Sequence, residues 1–270
     1  MQHLPVIRDF ERIILETEYP LASDSPDHLN PKGTRFDLSV NERFNYKVHM
    51  LFRERIPQIK VLDLGCSSGM FVRTWIETGH FAVGVEGSDY SRNFQRGAWP
   101  IISKFLFTAD ITKPFSLKIQ NTSGIDPLTF DLVTAWEVME HIPEDGLGTV
   151  IANIKTHLSE NGYFICSISP RSAIGIHDTD ELHQTVQDLD WWEAYFLKHG
   201  LKRNRSLENF FNGQYVRGGI IDGYESFNFV LHHEDAKDHP VPKIRFTHRL
   251  MDKWVHSRLQ RFLKIFLGSM

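Results

Sequence analysis

Two carboxylates and two imidazoles offer the most chemistry in this chain. Glu137, Glu140 and His141 close the run Phe130-Asp-Leu-Val-Thr-Ala-Trp136-Glu137-Val-Met-Glu140-His141, and His183 follows in the polar segment Glu181-Leu-His183-Gln-Thr-Val. Carboxylate oxygen and imidazole nitrogen form a donor set suited to Mg, Mn or Zn, and a bound divalent ion lowers the pKa of a coordinated hydroxyl. Without an ion the same side chains can move protons directly, with Glu140, His141 and His183 as the candidate catalytic residues. Glu137 and Glu140 would then repel each other, so that one is protonated or turned to solvent. Plainer alternatives stand beside these: His141 packing on or capping the next helix, and His183 as a surface histidine in a polar loop.

A second constellation suits close approach of backbone to ligand. Val61-Leu-Asp-Leu-Gly65-Cys-Ser-Ser-Gly69 sets two glycines beyond an apolar run and at the entrance of a helix, as nucleotide-binding turns do. Glu86 ends the next apolar run, in Val83-Gly-Val-Glu-Gly87-Ser88, where a carboxylate can accept both hydrogen bonds of a ribose diol. A third run ends in Thr108-Ala-Asp110-Ile111. A dehydrogenase turn would read G-x-G-x-x-G; this one reads G-C-S-S-G, with Asp63 inside the preceding strand.

With these three acids and the glycine turn in order, residues 60–170 resemble class I S-adenosylmethionine-dependent methyltransferases. The resemblance implies that Asp63, Gly65 and Gly69 hold the amino-acid end of S-adenosyl-L-methionine, Glu86 its ribose, and Asp110 with Ile111 its adenine. It extends the cofactor-binding set to Cys66 and Ser67, which stand where that family often has another glycine, and to Gly87, Ser88 and Trp136. The E-x-x-E-H arrangement is similar to that of two metal-using subsets, the O-methyltransferases of ubiquinone biosynthesis and the small-RNA 3′-terminal 2′-O-methyltransferases. There both glutamates and the histidine ligate a divalent ion, and that likeness implies Glu137, Glu140 and His141 as ligands here, with His183 as a further one. Many family members carry an E-H pair at this place with no metal. The stretch from His183 to Trp191-Trp192 resembles bacterial methyltransferases that act on sugars and other small polar acceptors. The expected function is methyl transfer to a small-molecule or glycan hydroxyl. The alternatives are a metal-dependent 2′-O-methyltransferase acting on RNA ends and a non-catalytic cofactor-binding partner subunit.

Holding these residues together requires a sheet. Short apolar runs at Val61–Leu64, Phe81–Val85, Phe105–Thr108, Phe130–Ala135 and Tyr163–Ile168 alternate with helical patterns, which predicts an α/β fold with a doubly wound, mostly parallel seven-stranded sheet. Leu207–Phe211 and Ser226–His232 are expected to be its closing antiparallel strands. A helix is expected from Pro143 to a stop at Asn161-Gly162, and another near Asp188–Lys198. Ahead of the sheet, Ile7, Phe10, Ile13 and Ile14, and then Phe44, Val48, Leu51 and Phe52, follow helical spacing around a Tyr19–Phe36 loop, which predicts an N-terminal helical lid over residues 1–58. The methyltransferase domain is expected over 59–235 and a basic amphipathic C-terminal helix within 236–270.

Composition narrows the function classes. In 270 residues, 41% hydrophobic and 24% charged, the longest uncharged run is Asn161–Pro170, half of the ~20 residues a spanning helix needs. Charged residues from Arg8 onward leave no secretory h-region, and a cytoplasmic location is expected. Cys66 and Cys166 are too far apart in sequence for a CxxC site and are read as reduced thiols. Residues 243–270 hold seven Lys/Arg against the single acid Asp252, which leaves an acidic body and excludes a general nucleic-acid binder. The basic tail is expected to pack on that body or on a second subunit in a homodimer, with an anionic membrane surface as the alternative.

Overall fold

Apolar runs too short for helices, such as Val61–Leu64 and Phe130–Ala135, bury both faces only inside a parallel sheet covered by helices. The computed structural model places them there, and it describes residues 10–29, 31–53, 56–173, 181–218, 225–237 and 240–254. In chain order the elements are β1 (Phe10–Glu16), α1 (Pro26–Leu29), α2 (Lys32–Phe36), α3 (Glu42–Phe52), β2 (Lys60–Leu64), α4 (Met70–Glu77), β3 (Phe81–Glu86), α5 (Tyr90–Asn93), β4 (Leu106–Thr108), β5 (Ser116–Asn121), β6 (Gly124–Pro127) and β7 (Phe130–Trp136). After these come α6 (Glu144–His157), β8 (Leu158–Ile168), α7 (Leu189–Lys198), β9 (Leu201–Arg203), α8 (Arg205–Phe211), β10 (Phe227–His233) and α9 (Phe246–Trp254).

The seven-stranded sheet has the order β4-β3-β2-β7-β8-β10-β9. Its first five strands are parallel; β10 runs antiparallel between β8 and β9. The chain winds outward from β2 through β3 to β4, then returns to the other side of β2 with β7. Such a reversal opens a crevice at the carboxyl ends of the strands. Helices cover both faces: Leu62, Val83, Val133, Ile154 and Phe196 pack on one side, and Val61, Phe71, Trp75, Leu132 and Phe211 on the other.

Several expectations are corrected. Ile13 and Ile14 belong to a strand, β1, which pairs antiparallel with β5 in a second sheet of order β1-β5-β6. Two isoleucines in a short apolar run satisfy a helix or a strand equally, and the partner strand decides. The N-terminal segment is therefore a strand followed by the helices α1, α2 and α3; Ile7 lies outside the described residues. Leu207–Phe211 is helical: Leu207, Phe210 and Phe211 are buried at helical spacing, and the Asn204 side chain caps the first turn by accepting from Leu207 N–H at 3.0 Å. The short β9 takes the strand position expected of it. Helix α6 ends at His157, ahead of Asn161-Gly162, which lies instead within β8 where the register against β7 shifts. A Cβ at Gly162 would stand 3.0 Å from the Asp131 carbonyl oxygen, so the glycine permits close approach rather than a helix stop.

Candidate active site

The turn after β2 is shaped by backbone that most side chains avoid. Gly65, Ser67 and Gly69 have φ of 72°, 49° and 74°, and Gly65 N–H donates to the Val85 carbonyl at 2.8 Å. The turn is thereby pinned to the end of β3, where Glu86 receives Ser67 N–H at 2.6 Å and Ser88 N–H at 3.1 Å. Burial pushes Glu86 up to about 7 against those hydrogen bonds. Asp63 lies behind the turn, buried, accepting from the Thr134 hydroxyl at 2.6 Å; burial pushes it up to about 8. Cys66 packs beneath β3: a Cβ on Gly84 would come within 2.7 Å of its sulfur. Burial raises both thiols, Cys66 and Cys166, well above the ordinary range, which marks them as unreactive.

Above the turn lies a cavity of about 730 Å³, walled by Gly65, Ser67, Glu86, Gly87, Ser88, Asp110, Ile111 and Trp136 at one end and by Glu137, His141 and His183 at the other. Its size is that of a small-molecule site. Asp63, Cys66 and Gly69, expected at the cofactor, stand behind this wall and shape it without lining it. Part of the roof comes from the N-terminal segment. Thr34 hydroxyl donates to Glu86 at 3.4 Å, Ser67 hydroxyl donates to the Thr34 carbonyl at 3.1 Å, and Ala22 N–H donates to the Gly87 carbonyl at 3.0 Å. Asp110 turns inward to accept from Thr112, and its own N–H is held by the Tyr19 carbonyl. Asp27, His28, Thr34, Asp37, Arg171 and Arg217 also line the cavity, and none was singled out in the sequence. They belong to polar loops and short helices with no motif of their own. Burial pushes Asp27 up to about 6.

The second end of the cavity follows β7. Glu137 sits at φ 56°, a left-handed conformation costing about 1–3 kcal/mol for a side-chain-bearing residue, held by Ser167, whose carbonyl takes Glu137 N–H at 3.0 Å. Glu140 is fully buried; its Oε1 accepts from Ser169 N–H at 2.9 Å while Oε2 has no partner, and Glu137 Oε1 is likewise buried and unpartnered. Burial, and then the neighbouring Glu137, hold the Glu140 carboxyl well above the ordinary range. His141 Nδ1 lies 3.1 Å from the Leu182 carbonyl, and His183 Nδ1 bonds the Arg171 carbonyl. A carbonyl only accepts, so each Nδ1 carries the proton and each Nε2 keeps its lone pair. Burial, and then His183, bring His141 down to about 3; burial lowers His183 as well. Ligand atoms of Glu140, His141 and His183 lie within 4.8 Å of one another. Glu140 and His141 are thus brought together with His183, distant in sequence, while Glu137, the other expected ligand, stands outside that group and acts on Glu140 and His183 as a neighbouring charge. Residues 174–180, which lead into this polar segment, lie outside the described residues.

A profile of a methyltransferase domain family matches residues 36–214, well over half of the chain and every strand from β2 to β9. No curated protein matches significantly. Solved structures also match, at low identity and with TM-scores below 0.5. A S-adenosylmethionine-dependent methyltransferase from Clostridium acetobutylicum is 14% identical with TM-score 0.49, over 76% of this chain and 96% of that one. The magnesium protoporphyrin IX methyltransferase of Synechocystis, with bound SAH, is 14% identical with TM-score 0.48, over 76% and 96%. An amino pentose methyltransferase from Micromonospora echinaspora is 15% identical with TM-score 0.47, over 74% and 93%. Taken with the glycine turn, the buried acid at the tip of β3 and the crevice above them, the profile match means that the chain belongs to the methyltransferase domain family and is a S-adenosylmethionine-dependent methyltransferase.

Proposed function

We propose that the enzyme methylates a hydroxyl oxygen of a small-molecule or glycan acceptor, with a divalent ion held by Glu140, His141 and His183 beside Glu137. The observation that carries this reading is the cluster at the end of β7, where one ligand atom each of Glu140, His141 and His183 lies within 4.8 Å of the others and Glu140 keeps a buried oxygen without a hydrogen-bond partner. Imidazoles that donate Nδ1–H to a backbone carbonyl are fixed in the tautomer and orientation that a metal requires, and a buried carboxylate oxygen without a donor is costly unless a cation meets it. The bound ion would supply Lewis acidity that lowers the pKa of the acceptor hydroxyl. The cofactor supplies a methyl group already activated on sulfur.

The rest is positioning by this chain. Glu86 offers a buried carboxylate that accepts the two hydrogen bonds of a ribose diol; Gly87, Ser88, Asp110 and Ile111 border the adenine end, and Gly65, Ser67 and Trp136 the amino-acid end. Glycine at 65, at φ 72°, leaves room for the Val138 side chain, which a Cβ there would strike. Ala22 and Thr34 tie part of the roof to Gly87, Ser67 and Glu86, and holding acceptor and methyl in line is worth at best ~7–11 kcal/mol. Arg171 and Arg217 border the acceptor end, where they add positive charge near the two imidazoles.

Methyl transfer to a panel of catechols and sugars, with and without EDTA, tests the reading. Activity should fall with the chelator and return on adding Mg, Mn or Zn, while affinity for the demethylated cofactor stays unchanged. Activity that ignores EDTA but disappears in both His141→Ala and His183→Ala would replace the ion with direct base catalysis.

A further inference from the structure

Helix α9 docks by its polar side. Its one acid, Asp252, is buried against the body, where it meets Arg43 Nε at 2.7 Å and Lys47 Nζ at 2.6 Å. Gln214 and Arg43 donate to the carbonyls of Asp252 and His248. At about 100° per residue, Phe246, Leu250 and Trp254 form one stripe roughly opposite Asp252. These side chains are 74%, 53% and 43% exposed, and Met251 beside them is 49% exposed. Arg249 and Lys253 are exposed along one border of the stripe. An amphipathic helix that served the core would bury this stripe.

We propose that this face of α9 docks on an anionic lipid bilayer. Residues 243–270 carry seven Lys/Arg and a single acid, and burial against Arg43 and Lys47 removes that acid from the outer surface. The described helix therefore shows the outside no acid, only Thr247 beside cations and apolar groups. An apolar stripe with aromatic rings at both ends and a basic border suits the headgroup boundary, where rings and aliphatic chains enter and Lys/Arg meet anionic lipid. A second copy is the poorer occupant, because twofold pairing of two α9 stripes would bring Arg249 and Lys253 close to their own equivalents. Among the described residues no helix is long and apolar enough to cross a membrane, so the contact is peripheral.

Co-sedimentation of the full chain with vesicles tests this, using phosphatidylcholine alone or with roughly a third phosphatidylglycerol. The protein should bind the anionic vesicles, ignore the neutral ones and be released by salt. Arg249→Gln with Lys253→Gln should weaken binding about 30-fold, the product of about fivefold for each of the two basic residues near the surface. Leu250→Glu should abolish it, with the melting temperature and the affinity for demethylated cofactor unchanged in both variants. No binding to anionic vesicles, or equal binding by Leu250→Glu, overturns the proposal. A concentration-dependent dimer that Leu250→Glu dissolves also overturns it, in favour of a second copy.

Discussion

Lys47 and Asp252 meet at 2.6 Å with both side chains withdrawn from solvent, an ion pair that joins α3, the last helix before the seven-stranded sheet, to α9. Burial lowers the Lys47 amine even against the pull of Asp252, so the pair is held at a desolvation cost and depends on both partners. Lys47 also donates to the Phe210 carbonyl at 2.5 Å, which ties α8 into the same joint.

Removing one partner should therefore be worse than removing both. Asp252→Ala leaves two cations facing each other without a counter-charge and should cost about 3–5 kcal/mol in denaturant unfolding. Lys47→Met combined with Asp252→Leu should recover part of that loss, because only Arg43, which still donates to the His248 carbonyl, is then left without its acid. Equal losses in the single and double variants would mean that the joint acts through packing alone.

Glu86 makes cofactor affinity depend on pH. Its carboxyl stands at about 7 in the cofactor-free protein, and ribose hydroxyls donate to the ionised form. Affinity for the demethylated cofactor should be full above neutral pH and fall as pH drops below 7, approaching about tenfold per unit. Glu86→Gln should flatten that profile, and Glu86→Ala should weaken binding on the order of 100-fold, at ~1.5–3 kcal/mol per hydrogen bond to a charged group. Calorimetry across pH reads both.

His80 predicts an acid limit to stability. Its Nδ1 accepts from Ile59 N–H at 3.1 Å, its ring lies 4.5 Å from that of His49, and burial followed by His49 brings it down to about 4 from 6.5. The fold favours the neutral ring, so its contribution is complete above about pH 6.5 and is lost as pH falls toward 4. The melting temperature should drop between those limits, and His80→Gln should show a shallower drop than the wild type.

What the sequence made legible follows from where the signal is local. The parallel strands β2, β3, β7 and β8 are short apolar runs buried on both faces, and a run of that kind has few other destinations. Glu86 at the end of β3 and Asp110 just after β4 reach the cavity because strand ends in this topology converge there. The failures share a different cause. Ile13 and Ile14 read as helix because nothing nearby announces β5, their partner far along the chain. Leu207–Phe211 read as strand because the cap that starts its helix is one side chain, Asn204. Arg217 and Asp27 influence the same cavity from opposite ends of the chain, a proximity only the folded topology creates.

Direct binding of Mn(II) to the cofactor-free protein, followed by electron paramagnetic resonance, reads whether Glu140, His141 and His183 hold an ion. One site per chain is expected in the wild type, lost in His183→Ala and in Glu140→Gln, with the affinity for demethylated cofactor and the melting temperature of the metal-free proteins little changed. A wild-type protein that leaves all Mn(II) free in solution, and Mg and Zn unbound in matching calorimetry, would contradict the proposed ion site.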